Sequence, residues 1–578
     1  MKISYADSFN DNVNNRNTFA YPTKLTDPAN NFSEVKYRFD IGANVQAKSP
    51  APAGNANGKE TVRLFDALGR LTKQTISNTG AYTRYEYPAN GVQSKIYSTV
   101  VDTNNNGADS NDEVLSESWA DGAGRVRKSR RGLPNSTGGY SGQIIEYDIL
   151  GQIKQQSVPT EINTDWEPSG NDAARGWLWS SQEYDWKGRV IRQVNIDGTD
   201  KLFTFEGCGC AGGQVTTVKG EQLQEGRRTQ KIYQDILSRS YKTQILNWDG
   251  SVYATKVSTY NGRDQVTLSR EYEGTESSNT FQDSIFGYDG LGRLKNEHRP
   301  EMDAGAVTTF EYFADNSLAS KLDVRGAKTN YTYDNRGLLI NIGYFNSSST
   351  ILTPTSTSSY GYDSVGNRTW MEDGFGRMDY EYDELSRLTA ETRQFHSSLT
   401  DAPSSANGFR MSYLYQLGGG LKSVSYPNQI TINYGLDATG AIKNISGSSE
   451  GQPLSILTNV DYRAWGAVKK AEFGNGTYSQ LTYNNRLLPT TENFIGREFY
   501  QGSYETKPFV DNQYSYYADG SLILIDDKLP PQTNLGYNYY NRLQKYDVMG
   551  NLTTERSGSE AKGNANLNHF IKYGYDFK

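Results

Sequence analysis

The stretch VDTNNNGADSNDEV places oxygen-bearing side chains at Asp102, Asn104, Asn106, Ser110 and Glu113. Read as D-x-N-x-N-G-x5-E, the spacing fits a calcium-binding loop. Calcium takes roughly six to eight hard oxygen ligands around a sharp turn. Here the side chains of Asp102, Asn104 and Asn106, the Ala108 carbonyl, Ser110 directly or through water, and a bidentate Glu113 would supply them, while Gly107 permits the turn. Asn in place of Asp lowers the ligand charge, which suits dissociation constants on the order of 10⁻⁴ to 10⁻³ M, as in extracellular modules. The flanks, YSTVV before and VLSESW after, read as strands, so the expected ion is a structural calcium bracing a long hairpin loop. The competing reading is a solvated turn, because Asn, Asp and Gly are abundant along the whole chain.

Other constellations carry less chemistry. Cys208 and Cys210 in GCGCAGG are too close for an easy unstrained disulfide, and two thiolates alone do not close a zinc site. A Gly-rich turn with two small buried side chains is expected, with a strained disulfide or a metal shared between subunits as alternatives. His298, His396 and His569 lie far apart without ligand neighbours, which argues against a histidine-built metal centre and leaves a nucleophile without its base. Gly418 to Gly420 is not followed by Gly-Lys-Ser/Thr, so it is no phosphate cradle, and no G-x-S-x-G elbow occurs. Paired carboxylates of a glycosidase stay open, since spacing in a wound sheet is not readable from sequence. The basic cluster RVRKSRR (125–131) alternates along a strand and reads as one solvated face, with an anion or nucleic-acid patch as the alternative. No catalytic or cofactor-binding residue is assigned, and the chain reads as a non-enzyme.

Composition narrows the class further. The 59 basic and 66 acidic residues give a formal net charge of −7, which offers no case for electrostatic nucleic-acid binding. Mean hydropathy is −0.73, and no apolar run nears the roughly 20 residues of a membrane helix. Two Cys exclude a disulfide-stapled scaffold. The start, MKISYADSFNDN, has no apolar segment of the secretory-signal kind. A length of 578 residues would allow several ordinary domains, unless a periodic architecture removes the need to split.

A period is present. FDALGRL (65–71), YDILGQI (147–153), YDWKGRV (184–190), YDGLGRL (288–294), YDNRGLL (333–339), YDSVGNR (362–368), YDELSRL (382–388) and YDVMGNL (546–552) share an aromatic, an Asp, two variable residues, a Gly or Ser, and a following apolar position. Degenerate copies fill the gaps, among them WADGAGRV from Trp119 and YRAWGAV from Tyr462. In D-x-x-G, Asp opens a type I turn and its carboxylate accepts from backbone N–H groups further on. The Gly can adopt φ > 0 and close the hairpin through a bulge. Flanking segments such as TNYTYD (329–334) and MDYEYD (378–383) put Tyr on alternate positions, with Thr, Glu or Asn between. Each unit is thus a β-hairpin whose Tyr face is a packing face, with a ligand-stacking surface as the alternative. A lone hairpin is marginal in water, so many must pair edge to edge into one continuous sheet, which twist and edge protection curl into a wall.

From Val62 to the C-terminus these motifs resemble the YD repeats of the RHS (rearrangement hot spot) family, which also occur in teneurins. The resemblance implies an all-β fold: tandem hairpins wound into a continuous curved or spiral sheet, forming a hollow cocoon or part of one. In bacterial RHS and related insecticidal toxin-complex proteins the cocoon encloses a C-terminal toxin domain until delivery; in teneurins the equivalent shell belongs to a cell-surface adhesion protein. Bacterial members end the shell with a self-cleaving core that contains Asp-Pro and a Gly-Leu step. The sole Asp-Pro here is Asp27-Pro28, without the Gly-Leu, so neither the cleavage aspartates nor a toxin is carried over to this chain. The ending YGYDFK reads as the start of one more repeat, which suggests a shell segment of a longer polypeptide or a truncated reading frame.

The expectations are therefore a β-rich lead-in and linker over 1–60, then a YD-repeat shell over 61–578. The Ser/Thr-rich stretches at 347–359 and 396–408 are expected to be protruding loops. The expected function is the non-enzymatic shell of an exported, secreted or cell-surface protein that encloses or presents a C-terminal effector. The alternative is a surface adhesion or carbohydrate-binding protein whose partners are glycans or proteins. Calcium is the one cofactor expected.

Overall fold

The computed structural model describes residues 1–578 except 8–15, 18–19, 90, 208–212, 347–355, 397–407, 501–502, 530–540, 559–560, 562–569 and 575–578. The Cys208 and Cys210 pair, His569, and most of the two Ser/Thr-rich stretches therefore lie outside the described residues. The fold is all-β, as the sequence predicts. Among the described residues 44 strands join one sheet, and successive strands pair antiparallel. The lead-in takes part in the same pairing: Phe32–Arg38 pairs with Ala43–Lys48, which pairs in turn with Glu60–Phe65.

The repeat motif folds as its residue types dictate. In the hairpin at 288–294, Asp289 Oδ1 accepts the backbone N–H of Leu291 and of Arg293, each at 2.9 Å. The Gly292 N–H donates to the Asp289 carbonyl at 3.0 Å. Gly292 sits at φ 83°, and the pairing slips by one residue so that Tyr288 faces Leu294. Arg293 Nε then returns to Asp289 Oδ2 at 2.7 Å, so one carboxylate holds both the turn and the residue that leaves it. Where the motif has Ser in place of Gly, Ser238 and Ser386 take φ 63°, a conformation that costs an L-residue free energy. The turn geometry is kept even where its residue is not ideal.

By compactness the chain divides into two units: Met1–Gly142, Glu161–Trp166 and Phe310–Asn459 form the first, and Gln143–Thr160, Glu167–Thr309 and Val460–Lys578 the second. Each unit combines an early run of strands with a late one. In unit 1, turns of the late run seat on loops of the early run. Asn335 Nδ2 donates to the Pro28 carbonyl at 3.3 Å, Asn55 Nδ2 to the Tyr382 carbonyl at 2.7 Å, and the Gly418 N–H to the Val100 carbonyl at 2.7 Å. In unit 2 the same relation joins Arg463 to Asp172 at 2.6 Å and Arg175 to the Asn484 carbonyl at 3.3 Å. Among the described residues fully buried apolar side chains are few, with Ile162 in unit 1 the largest. Hydrogen-bond ladders and these seams therefore hold much of what a thick apolar core holds elsewhere.

Candidate functional site

The loop read as a calcium site joins strand Gln93–Thr99 to strand Glu113–Ala120, whose ends Thr99 and Glu113 face each other. Its first half converges. Asp102 accepts the N–H groups of Asn106 and Gly107, both at 3.1 Å, and Asn104 Oδ1 accepts the same Asn106 N–H at 3.4 Å. Asn106 Nδ2 donates to Asp109 Oδ2 at 2.9 Å. Ser110 starts a short 3-10 turn, Ser110–Asp112, in which Asp109 and Asp112 cap each other reciprocally. Asp112 is fully buried and accepts both the N–H and the hydroxyl of Thr103 at 2.8 Å.

Glu113 belongs to a different constellation. Its carboxylate takes a fork from Arg84, Nε and Nη2 each at 2.7 Å, together with the Tyr82 hydroxyl at 2.8 Å. Arg84 in turn lies on the Tyr97 ring at 3.6 Å. The Arg84 hydrogen bond holds the Glu113 carboxyl below the usual carboxylate range, and burial beside Glu113 pushes the Tyr82 hydroxyl up to about 12. The structure thus gathers Asp102, Asn104 and Asn106, and turns Glu113 onto the sheet. Among the described residues no three His, Cys, Asp or Glu side chains converge on a point where an ion could sit. Sequence reasoning missed Asp109 and Asp112, although the D-x-x-D spacing of a capping box was there to read.

It also left unnamed the partners of the repeat tyrosines' hydroxyls. The motif Tyr of one hairpin donates to the backbone carbonyl where the preceding hairpin's second strand begins or nearly begins. Examples are Tyr184 to Ile153 at 2.9 Å, Tyr288 to Val266 at 2.9 Å, Tyr362 to Leu339 at 2.7 Å, Tyr415 to Leu388 at 2.6 Å and Tyr483 to Val468 at 2.7 Å. Arginines beside the turn position reach forward instead: Arg336, just before Gly337, donates to the Asp363 carbonyl at 2.6 Å, and Arg387, just after Ser386, to the Gln416 carbonyl at 3.1 Å. Each hairpin is latched to its neighbours by side chains as well as by the ladder. Phe supplies the ring but not the latch, which explains why the position is so regularly Tyr.

The basic strand Val126–Gly132 is solvated on one face only. Arg130 pairs with the buried Glu117 at 2.7 Å, and Lys128 lies over the Trp119 ring at 4.9 Å and the Trp166 ring at 4.3 Å. Alternation gave the two faces; the Trp rings that cover one of them come from residues outside the cluster. Trp166 is held at φ 68°, unusual for a bulky side chain, with its ring against both cations.

The turn aspartates set an acid limit on the fold. Hydrogen bonds from the guanidinium of the residue four on lower Asp121 and Asp235, and backbone N–H groups at the same spacing lower Asp66 and Asp289. A carboxyl depressed in the folded state contributes stability above its unfolded value, about 3.9, and loses it as pH falls through the folded value. The melting temperature is therefore expected to be flat from about pH 7 to 5 and to fall below about pH 4. A calorimetric pH series checks this; an unchanged melting temperature at pH 3 sinks it.

No family model matches the chain, and no curated protein matches it. Solved structures do. The chain is similar to TcdB2-TccC3 at 14% identity and a TM-score of 0.74, over 93% of this chain and 30% of that one. It is similar to the Photorhabdus luminescens Tc holotoxin pore bearing a TccC3 mutation at 13% identity and a TM-score of 0.75, over 94% of this chain and 32% of that one. A form of TcdB2-TccC3 without its hypervariable C-terminal region also matches, at 13% identity and a TM-score of 0.68, over 96% of this chain and 34% of that one. The chain thus spans about a third of the length of these solved chains. At this identity the likeness is one of fold, and the fold is that of the RHS/YD-repeat shell.

Proposed function

We propose that the chain is a non-enzymatic wall segment of an exported RHS/YD-repeat protein, enclosing or presenting an effector that follows it in the full-length polypeptide. The observation that carries this reading is the match to TcdB2-TccC3 over 93% of the chain, on a sheet whose hairpins are latched one to the next. The likeness persists against the form that lacks the hypervariable region, which supports a role as wall rather than as cargo. A wall needs continuity and resistance to unfolding, and the repeated turn carboxylates and Tyr latches supply both without a reacting group.

The test is protease protection of the polypeptide encoded downstream, expressed in one chain with this wall. The downstream region should resist a protease while the wall is folded and become sensitive once acid or urea opens it. Equal cleavage with and without the folded wall overturns the reading. Saturable binding of the wall to a glycan array, with no protection of a downstream region, would favour adhesion or carbohydrate binding instead.

Calcium bracing of the loop at 102–113 belongs to the same proposal in a restricted form. Asp102, Asn104 and Asn106 are gathered, but Glu113 would have to exchange Arg84 for the ion. Calorimetric titration should then give calcium heat in the wild type, more favourable binding in Arg84→Ala and none in Glu113→Ala. No heat in any of the three discards the site.

A further inference from the structure

One cross-strand row in unit 2 is apolar except at a single place. Phe203 pairs with Val218, Val218 with Gln230, and Gln230 with Ile245, so the four side chains stand side by side on one face. The Gln230 amide offers two donors and an acceptor, and it has no hydrogen bond among the described residues. Polar side chains of the neighbouring ladder do find partners across strands, as Tyr233 does in Gln244 at 2.8 Å. An amide set among Val and Ile costs free energy unless a partner reaches it from outside the sheet.

Gln230 opens onto a pocket of about 350 Å³. Val218 and Ile245 give its floor an apolar surface, and Gly220, beside Arg228, leaves that floor without a side chain. Turns of the late run close the pocket through Asp519 and Val548. Arg228 holds them in place, pairing with the Asp519 carboxylate and donating to the Asp547 carbonyl at 3.2 Å. The wall carries Glu221, whose side chain is 4% exposed. Its Oε1 accepts Asn195 Nδ2 at 3.0 Å and has Arg486 at 3.5 Å and Lys201 at 3.7 Å. Its Oε2 has no hydrogen bond among the described residues. A buried carboxylate oxygen, a half-exposed ammonium and an amide thus meet one apolar floor with bonding capacity to spare.

We propose that this pocket binds a neutral, polyhydroxylated ligand the size of a single sugar unit. The charges present already balance: Arg228 faces Asp519, while Lys201 and Arg486 face Glu221 and Asp197. A charged ligand would leave one of them in excess. A hydroxyl suits the site because it can donate to Glu221 Oε2 and accept from Lys201, and a second hydroxyl meets either end of the Gln230 amide. The C–H face of a sugar ring then packs on Val218 and Ile245, in a pocket at the small end of the roughly 300–1,000 Å³ range of ligand sites. The site goes beyond the wall reading and stands apart from it, since sugar binding and protease protection are read separately.

Saturation-transfer difference NMR on the whole chain, with D-glucose, D-galactose, D-mannose and N-acetyl-D-glucosamine each titrated in turn, tests the site. At least one sugar should give a saturable signal, with a dissociation constant in the millimolar range usual for so small a ligand. Gln230→Leu should weaken binding at least about tenfold while the urea midpoint holds or rises, because Leu completes the apolar row. Gly220→Ile fills the floor from a backbone position without positive φ and should abolish the signal. No saturable signal from any of the four sugars overturns the proposal. So does binding that Gln230→Leu leaves undiminished, or a preference for D-glucuronate or D-glucosamine over every neutral sugar.

Discussion

Asp172→Ala is expected to cost unit 2 about 3–5 kcal/mol, because it leaves buried guanidinium charge without its partner. The Asp172 side chain is 5% exposed and is shared by Arg463 at 2.6 Å and Arg175 at 3.7 Å. Burial, and then repulsion from Arg463, already lowers Arg175 below the ordinary arginine value, so the carboxylate is what makes the cluster tolerable. The desolvation of Arg463 is met on one side by Asp172 and on another by the Trp465 ring at 4.8 Å. Removing both charged partners should cost less than removing one, so Asp172→Asn with Arg463→Met is expected to be the milder change. Urea unfolding followed through its midpoint at constant slope measures the difference. A loss below about 1 kcal/mol for Asp172→Ala, the range of an exposed pair, would mean that the seam at this point contributes little.

What the sequence made legible was local. Asp289 to Gly292 are four residues of turn chemistry, and the roles of the first and last follow from the side-chain reach of Asp and the φ freedom of Gly, with no need of the rest of the chain. Tyr288 was legible as a face of a strand, since alternation gives the face, but its hydroxyl partner at the Val266 carbonyl depends on how one hairpin registers on the last. Glu113 shows the limit sharply. Its spacing from Asp102 suits a calcium loop, yet the ladder that sets Thr99 opposite Glu113 also brings Arg84 within 2.7 Å of the same carboxylate. Two constellations compete for one side chain, and only one of them is contiguous in sequence. The seams were beyond sequence reasoning altogether: Asp172 and Arg463 are 291 positions apart, and neither residue lies in a pattern that names the other.

The second large effect expected is Gly376→Ala, at about 3 kcal/mol or more. Gly376 follows the tight connection of Arg368–Asp373 to Gly376–Tyr382, with Asp373 and Gly376 paired across it. The Asp373 carboxylate accepts the Phe375 and Gly376 N–H groups at 2.9 and 3.1 Å and takes Arg393 at 2.9 Å, so the backbone here is pinned from three sides. At φ 138° an L side chain is strained by about 1–3 kcal/mol wherever its atoms go. A Cβ would also overlap the Gln394 carbonyl oxygen and crowd the Phe395 Cα, both backbone atoms of the paired strand. Relieving that overlap means parting the ladder or shifting the strand, a further cost of about 1–3 kcal/mol. Gly290, in the YD turn 289–292, provides the contrast: its φ is not positive and nothing stands within 4 Å of its would-be Cβ. Gly290→Ala should fall within about 0.5 kcal/mol of wild type, or gain slightly by restricting the unfolded chain. Urea midpoints measured side by side decide the matter. If the two substitutions shift the midpoint equally, close backbone approach at Gly376 is not what fixes that hairpin.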